Sequence, residues 1–238
     1  MTLLRTENLT KRFDGLLAND SIEFSMEPGT LRAVIGPNGA GKTTFISMIS
    51  GHLPATAGSV TFKGEPVTKL GVAARARLGV ARKFQTPQLF DNLSVFDNLE
   101  LAQFARSRAA AARTKRIGDV LDLIRLAEQS GLPAKMLSHG QRQWLEIGLL
   151  LANDAELLLL DEPTAGMTTE ETKATGDLVK HLVDQLGLAA IIIEHDINFI
   201  RALEAPVTVL HLGKVLVEGS YDDVAANKEV RDVYLGNA

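Results

Sequence analysis

The chain of 238 residues has no cysteine. That excludes Cys-ligated zinc, iron–sulfur clusters and thiol nucleophiles, and it fits a reducing compartment. It also lacks an excess of positive charge. Twenty-five basic residues against 29 acidic ones leave a net charge of −4, so no global basic field invites nucleic acid. No apolar run approaches the roughly 18 residues of a membrane span. The segment Met1–Glu7 lacks the long apolar core of a secretory signal. Internal repeats and low-complexity linkers are absent too. What is present is ordinary for a folded chain, 45% hydrophobic and 23% charged. The length suits one large domain or a domain plus a lobe. The expectation is a soluble protein whose role at a membrane would run through a partner.

Short runs at Leu3–Glu7, Ile22–Met26 and Val60–Phe62, broken by Gly, Pro, Asn or Asp, predict strands of an antiparallel piece. Leu31–Ile35 predicts a strand ending at Gly36. Thr43–Ser50 predicts a helix with Phe45, Ile46 and Ile49 on one face and Gly51 as its stop. From about Pro87 to Leu151 the pattern is mostly helical. Strands return at Leu157–Leu160, Ala190–Ile193, Val207–His211 and Val215–Glu218, the first two nearly all apolar, as parallel strands covered on both faces are. A hairpin is expected at Gly213 and Lys214.

Gly36-Pro37-Asn38-Gly39-Ala40-Gly41-Lys42-Thr43 fits G-x-x-x-x-G-K-[ST] between a predicted strand and a predicted helix. Its glycines let backbone N–H groups turn inward around a phosphate, and the helix N-terminus adds a favourable dipole. Lys42 can reach the β/γ oxygens and the Thr43 hydroxyl can ligate Mg²⁺. A Gly-rich turn that merely caps a helix would not need Lys42 and Thr43. Leu157–Leu160 then delivers Asp161, Glu162 and Pro163 to the C-terminal tip of a buried strand, the edge where open α/β sheets bind ligands. Asp161 suits a Mg²⁺ position one shell out, behind the ion's direct ligands, and Glu162 could polarise an attacking water.

Leu137-Ser138-His139-Gly140-Gln141 opens a helix carrying Trp144, Ile147 and Leu151. Ser138 and Gln141 alone make a capping box, so a well-capped helix start explains those two residues but not the entire pentapeptide. Here the chain resembles the ATP-binding subunits of ABC transporters, whose signature is usually Leu-Ser-Gly-Gly-Gln, and the resemblance covers essentially its whole length. It implies a P-loop NTPase fold, α/β, with a mixed parallel core sheet, an antiparallel β part and a helical subdomain. A single domain over 1–238 is expected, with core at about 1–86 and 152–238 and the helical subdomain at about 87–151. Gln85 falls at the family's Q-loop, where it would help hold Mg²⁺ and sense the γ-phosphate, and His195 falls at the switch histidine. Phe13, 23 residues before Gly36, stands where the family stacks an aromatic on adenine; otherwise such a residue is core.

The resemblance implies that Gly36 to Thr43 together with Thr44 hold ATP and that Thr43, Gln85 and Asp161 hold Mg²⁺. Glu162, His195 and Gln85 would carry hydrolysis, while Ser138, His139, Gly140 and Gln141 would meet ATP bound by a second ATPase subunit, identical or not. Two integral membrane permeases and, indirectly, a periplasmic or extracellular solute-binding protein are the implied partners, with no nucleic acid. The implied location is cytoplasmic, on the inner face of the membrane. Two residues depart from the family pattern: His139 replaces the first signature glycine, and Thr168 stands where the D-loop commonly ends in Asp, so Thr168 receives no catalytic role.

With Gln143–Gly148 and Val233–Gly236, both departures resemble the branched-chain amino-acid and urea uptake branch, the urea-type subunit most of all. Alternatives are a soluble non-transport ABC ATPase, or the ATPase of an exporter or lipid transporter. Leu89, Phe90 and Phe96, in a non-periodic run, either pack the helical lobe or receive a partner helix. The five basic residues from Arg106 to Arg116 suit a solvated helix face or an anionic membrane surface.

Overall fold

The computed structural model describes residues 2–83, 89–104 and 109–235. In chain order the elements are β1 (Leu4–Phe13), β2 (Leu16–Met26), β3 (Leu31–Ile35), α1 (Lys42–Ser50), β4 (Ala57–Phe62), β5 (Glu65–Pro66), α2 (Val72–Leu78), β6 (Val80–Lys83), α3 (Val95–Gln103) and α4 (Ala110–Leu123). After a 3₁₀ turn at Ala134–Met136 come α5 (His139–Ala152), β7 (Leu157–Asp161), α6 (Thr169–Leu186), β8 (Ala189–Ile193), α7 (Ile197–Leu203), β9 (Val207–His211), β10 (Lys214–Gly219), α8 (Tyr221–Ala226) and α9 (Lys228–Leu235).

Two sheets result. The larger runs β10-β9-β3-β8-β7-β6, parallel throughout except for the β9–β10 hairpin. The smaller, β2-β1-β4-β5, is antiparallel. The apolar runs of β7 and β8 are buried at every position because the large sheet is covered on both faces. Leu158, Leu160, Ala190 and Ile192 join the core made with α3–α7. Leu157, Leu159, Ala189 and Ile191 join the core beneath α1 and the antiparallel sheet. One pair of strands therefore ties both hydrophobic cores, and their C-terminal ends emerge at a single edge.

Two expectations need correction. The first strands are about twice as long as their apolar runs suggested, because Asn8 does not end β1. It takes φ 48° at a register shift between Thr6 and Leu9, a bulge that a short polar side chain tolerates. The strand β6 was not foreseen at all. Two of its four residues are Arg82 and Lys83, which read as surface but are buried against acids: Arg82 on Asp161 at 3.2 Å and Lys83 on Glu146 at 3.5 Å. Leu89 and Phe96 pack partly buried against the core, whereas Phe90 is 61% exposed. Gln85, the remainder of the Thr86–Gln88 run and part of the Arg106–Arg116 run lie outside the described residues.

Candidate nucleotide site

The loop after β3 is shaped by contacts that admit no side chain. A Cβ on Gly36 would collide with Leu210 O, and one on Gly41 with Ala18 O; both glycines have positive φ. Asn19, fully buried on β2, donates from Nδ2 to Gly41 O at 3.2 Å and holds the loop from the other side. The helix α1 starts at Gly41 with no side-chain cap and no acid in its first turn, so its N-terminal N–H groups face outward for an anion. Lys42 folds back, donating from Nζ to Gly36 O at 2.7 Å and Pro37 O at 3.0 Å. Burial pushes its pKa down, while Glu162 and Asp161 pull it back up. The ammonium is thus held among carbonyls where a more negative partner would displace them.

Across the cleft, β7 ends in two acids with different surroundings. Asp161 is 1% exposed and accepts from Arg82 Nη2 through Oδ2 at 3.2 Å, while its buried Oδ1 has no hydrogen-bond partner among the described residues. Burial pushes its pKa up and the Arg82 guanidinium pulls it down. A buried carboxylate oxygen without a donor among the described residues is the kind of oxygen ligand a divalent cation such as Mg²⁺ takes, and the Thr43 hydroxyl at the start of α1 is another. Glu162, the next residue, has φ 48°, a strained left-handed backbone for a residue with a side chain. Its N–H donates to Ile193 O at 2.9 Å, which fixes it against β8. His195 Nε2 lies 3.3 Å from Glu162 Oε1.

The residue that sets this pair is one the sequence did not single out. Glu194 is buried and accepts from Thr164 N and Oγ1 at 2.9 and 2.6 Å through Oε1, and from His195 N at 3.1 Å through Oε2. It clasps the loop after β7 to the loop after β8. An acid immediately before the histidine was the available signal.

A cleft of about 490 Å³ collects Asn38 to Thr44, Glu162, His195 and, on one wall, Phe13, Leu16 and Leu212. Phe13 ends β1 with its ring 41% exposed and Lys11 Nζ at 4.9 Å from its centroid, so it is not a core residue. Leu16 and Leu212, 66% and 76% exposed, extend the same apolar wall and went unpredicted. A larger groove of about 560 Å³, lined by Ser25, Gly29, Arg32, Lys180, Glu204 and Pro206 among others, sits by the N-terminal ends of β3 and β9. That is the wrong edge of a parallel sheet for ligand binding.

Ser138, His139, Gly140 and Gln141 do not line the cleft. Ser138 caps α5, accepting from Gln141 N at 3.2 Å while its own N–H donates to Gln141 Oε1 at 3.0 Å. His139 is exposed, and its Nε2 donates to Ala165 O at 2.8 Å. Glu171, on α6, accepts from Ser138 Oγ at 3.3 Å and from Thr168 N at 3.0 Å. Thr168 is the N-cap of α6 and shares a capping box with Glu171. A cap needs only a side-chain oxygen, so a threonine serves where the family often has Asp.

A phosphate loop on α1, two carboxylates at the tip of β7 and a histidine beyond β8 define a P-loop nucleoside triphosphatase. A family pattern described as ABC transporter matches residues 19–165, more than half of the chain. The chain belongs to that family, as an ATP-binding subunit of the ATPases that power ABC transport. It is 32% identical to the probable branched-chain amino acid transport ATP-binding protein LivG of Archaeoglobus fulgidus, over 99% of this chain and 96% of that one. Among solved structures, an ATP-binding cassette of an ABC transporter in its ADP conformation superposes with a TM-score of 0.91 at 28% identity, covering 99% of both chains. A bacterial ABC transporter cassette solved as a dimer matches at TM-score 0.81 and 25% identity, over 92% of this chain and 99% of that one. Among the described residues, no helix is long and apolar enough to cross a membrane.

Proposed function

We propose that the protein is the ATP-hydrolysing subunit of an importer for a branched-chain amino acid or a small amide such as urea, working at the inner face of a membrane. One observation carries the hydrolytic part: Lys42, Thr43, Glu162 and His195 share one cleft, and Ser138 to Gln141 do not. The first set is a catalytic half-site; the second is a helix N-terminus in need of an anion from elsewhere. Two subunits, as in the dimeric cassette, would supply each half-site with the other's signature segment. The amino-acid reading is supported by the relative's name, and the urea reading by the resemblance of Leu137–Gln141 followed by Trp144–Gly148.

In this reading Gly36, Pro37, Asn38, Gly39, Ala40, Gly41 and Thr44 wrap the phosphates with backbone N–H groups and Lys42 neutralises them. Phe13 stacks on adenine. Thr43, Asp161 and Gln85 would hold Mg²⁺, which would offset charge on the phosphate oxygens. Glu162 accepts a proton from the attacking water, and its strained backbone and the Glu194 clasp fix the direction of that carboxylate. His195, beside it, donates toward the γ-phosphate. ATP joins the two subunits; hydrolysis removes the bridging charge and lets them part. Phe90, Leu101 and Phe104, all exposed, face a permease, which turns closure into a change of access. The test is ATPase activity in proteoliposomes with the cognate permeases and binding protein. Stimulation by leucine or by urea selects the solute; stimulation by neither overturns import of both.

A further inference from the structure

Behind the cleft, three elements meet around one buried guanidinium. Arg82, on β6, donates from Nη1 to Ser47 Oγ at 2.7 Å and from Nη2 to Asp161 Oδ2 at 3.2 Å. Ser47, one turn into α1, donates in its turn to Thr43 O at 2.5 Å. The side chains of Arg82 and Asp161 are 6% and 1% exposed, so water competes little for these bonds. An unbroken path therefore runs Thr43–Ser47–Arg82–Asp161. Its two ends are residues read above as metal ligands, one at the start of α1 and one at the tip of β7.

We infer that Arg82 is a positioning residue for the metal site: it holds Asp161 by Oδ2, leaves Oδ1 for the cation, and fixes β7 against the first turn of α1. The inference rests on the reading that Thr43 and Asp161 hold Mg²⁺. The chemistry calls for arginine in particular. Its planar fork presents two donors at a set angle, one for a hydroxyl and one for a carboxylate, whereas a lysine offers a point charge on a flexible stem. Groups that orient a ligand from behind commonly change metal affinity by about 10–100-fold when removed.

The experiment measures binding of a fluorescent ATP analogue to the purified protein in EDTA and in Mg²⁺, and takes the ratio of the two dissociation constants. Wild type should bind more tightly with Mg²⁺. Arg82→Met should lose about tenfold or more of that gain while its affinity in EDTA stays close to wild type. Arg82→Lys should recover only part. Ser47→Ala keeps the charge and cuts the link to α1, and should lose about threefold, the worth of one hydrogen bond. If Arg82→Met keeps the full Mg²⁺ gain, or loses affinity equally in EDTA and Mg²⁺, the positioning role is wrong. Should Arg82→Met fail to fold, Ser47→Ala decides: an unchanged ratio overturns the inference. A wild type that gains nothing from Mg²⁺ overturns the metal reading itself, a result distinct from the loss of Arg82's role alone.

Discussion

Two helix N-termini in this molecule are built in opposite ways. The start of α1 has glycine at the cap, no capping side chain and no acid in its first turn. The start of α5 is capped by Ser138 and Gln141 and approached by the Glu171 carboxylate from α6. Both ends carry the same partial positive charge. The first has Lys42, two acids and a cleft around it, so its own chain completes an anion site and leaves it open. The second is met by its own chain's side chains, which serve as substitutes for an anion. An open end binds strongly within one subunit, while a provisionally satisfied end can exchange its internal partners for an external one at small cost.

Breaking the open site should have the largest effect. Glu162→Gln is nearly isosteric, so nucleotide binding should survive while hydrolysis falls roughly 10²–10⁴-fold, the range for a lost general base. With ATP it should run as a dimer on size exclusion. Turnover above about half of wild type would remove Glu162 from the role. Lys42→Ala differs in kind. Loss of a charged hydrogen-bonding group should weaken nucleotide binding itself by about 10–100-fold, seen in equilibrium titration.

The attachment of α5 to the sheet comes next. Lys83 and Glu146, 0% and 5% exposed, join β6 to α5. Lys83→Met leaves a buried carboxylate without that cation and should cost about 3–5 kcal/mol in denaturant unfolding. Adding Glu146→Leu should return most of it; no recovery in the double variant would show that the pair is not the origin of the loss.

The smallest effect concerns the provisional partner of α5. Hydrogen bonds from Thr168 first, and then from Ser138 and Gly140, hold the Glu171 carboxyl below its ordinary value of 4.5. Its contribution to stability is therefore complete above that ordinary value and is lost as pH falls through the lowered one. Melting temperatures of wild type and Glu171→Ala should differ slightly at pH 7 and converge on acidification toward pH 3. A gap that stays constant would mean that the carboxylate's charge plays no part.

The sequence by itself determined the local chemistry. Gly36 to Thr43, Asp161 with Glu162, and the Ser138–Gln141 cap each depend on a few consecutive residues, because a phosphate loop, a strand tip and a helix start are local geometries. The buried strands β7 and β8 were legible for the same reason: an unbroken apolar run allows little else. Only the tertiary structure decided which of these meet. It hid β6 behind Arg82 and Lys83, whose charges look like surface until Asp161 and Glu146 arrive from strand and helix more than 60 residues away. It gave Glu194 its clasp between two loops, turned His139 onto Ala165, and put Phe13 beside Leu16 and Leu212 on one wall. The physical reason is burial: a charge or polar group is stable inside only with a partner, and that partner can stand anywhere along the chain.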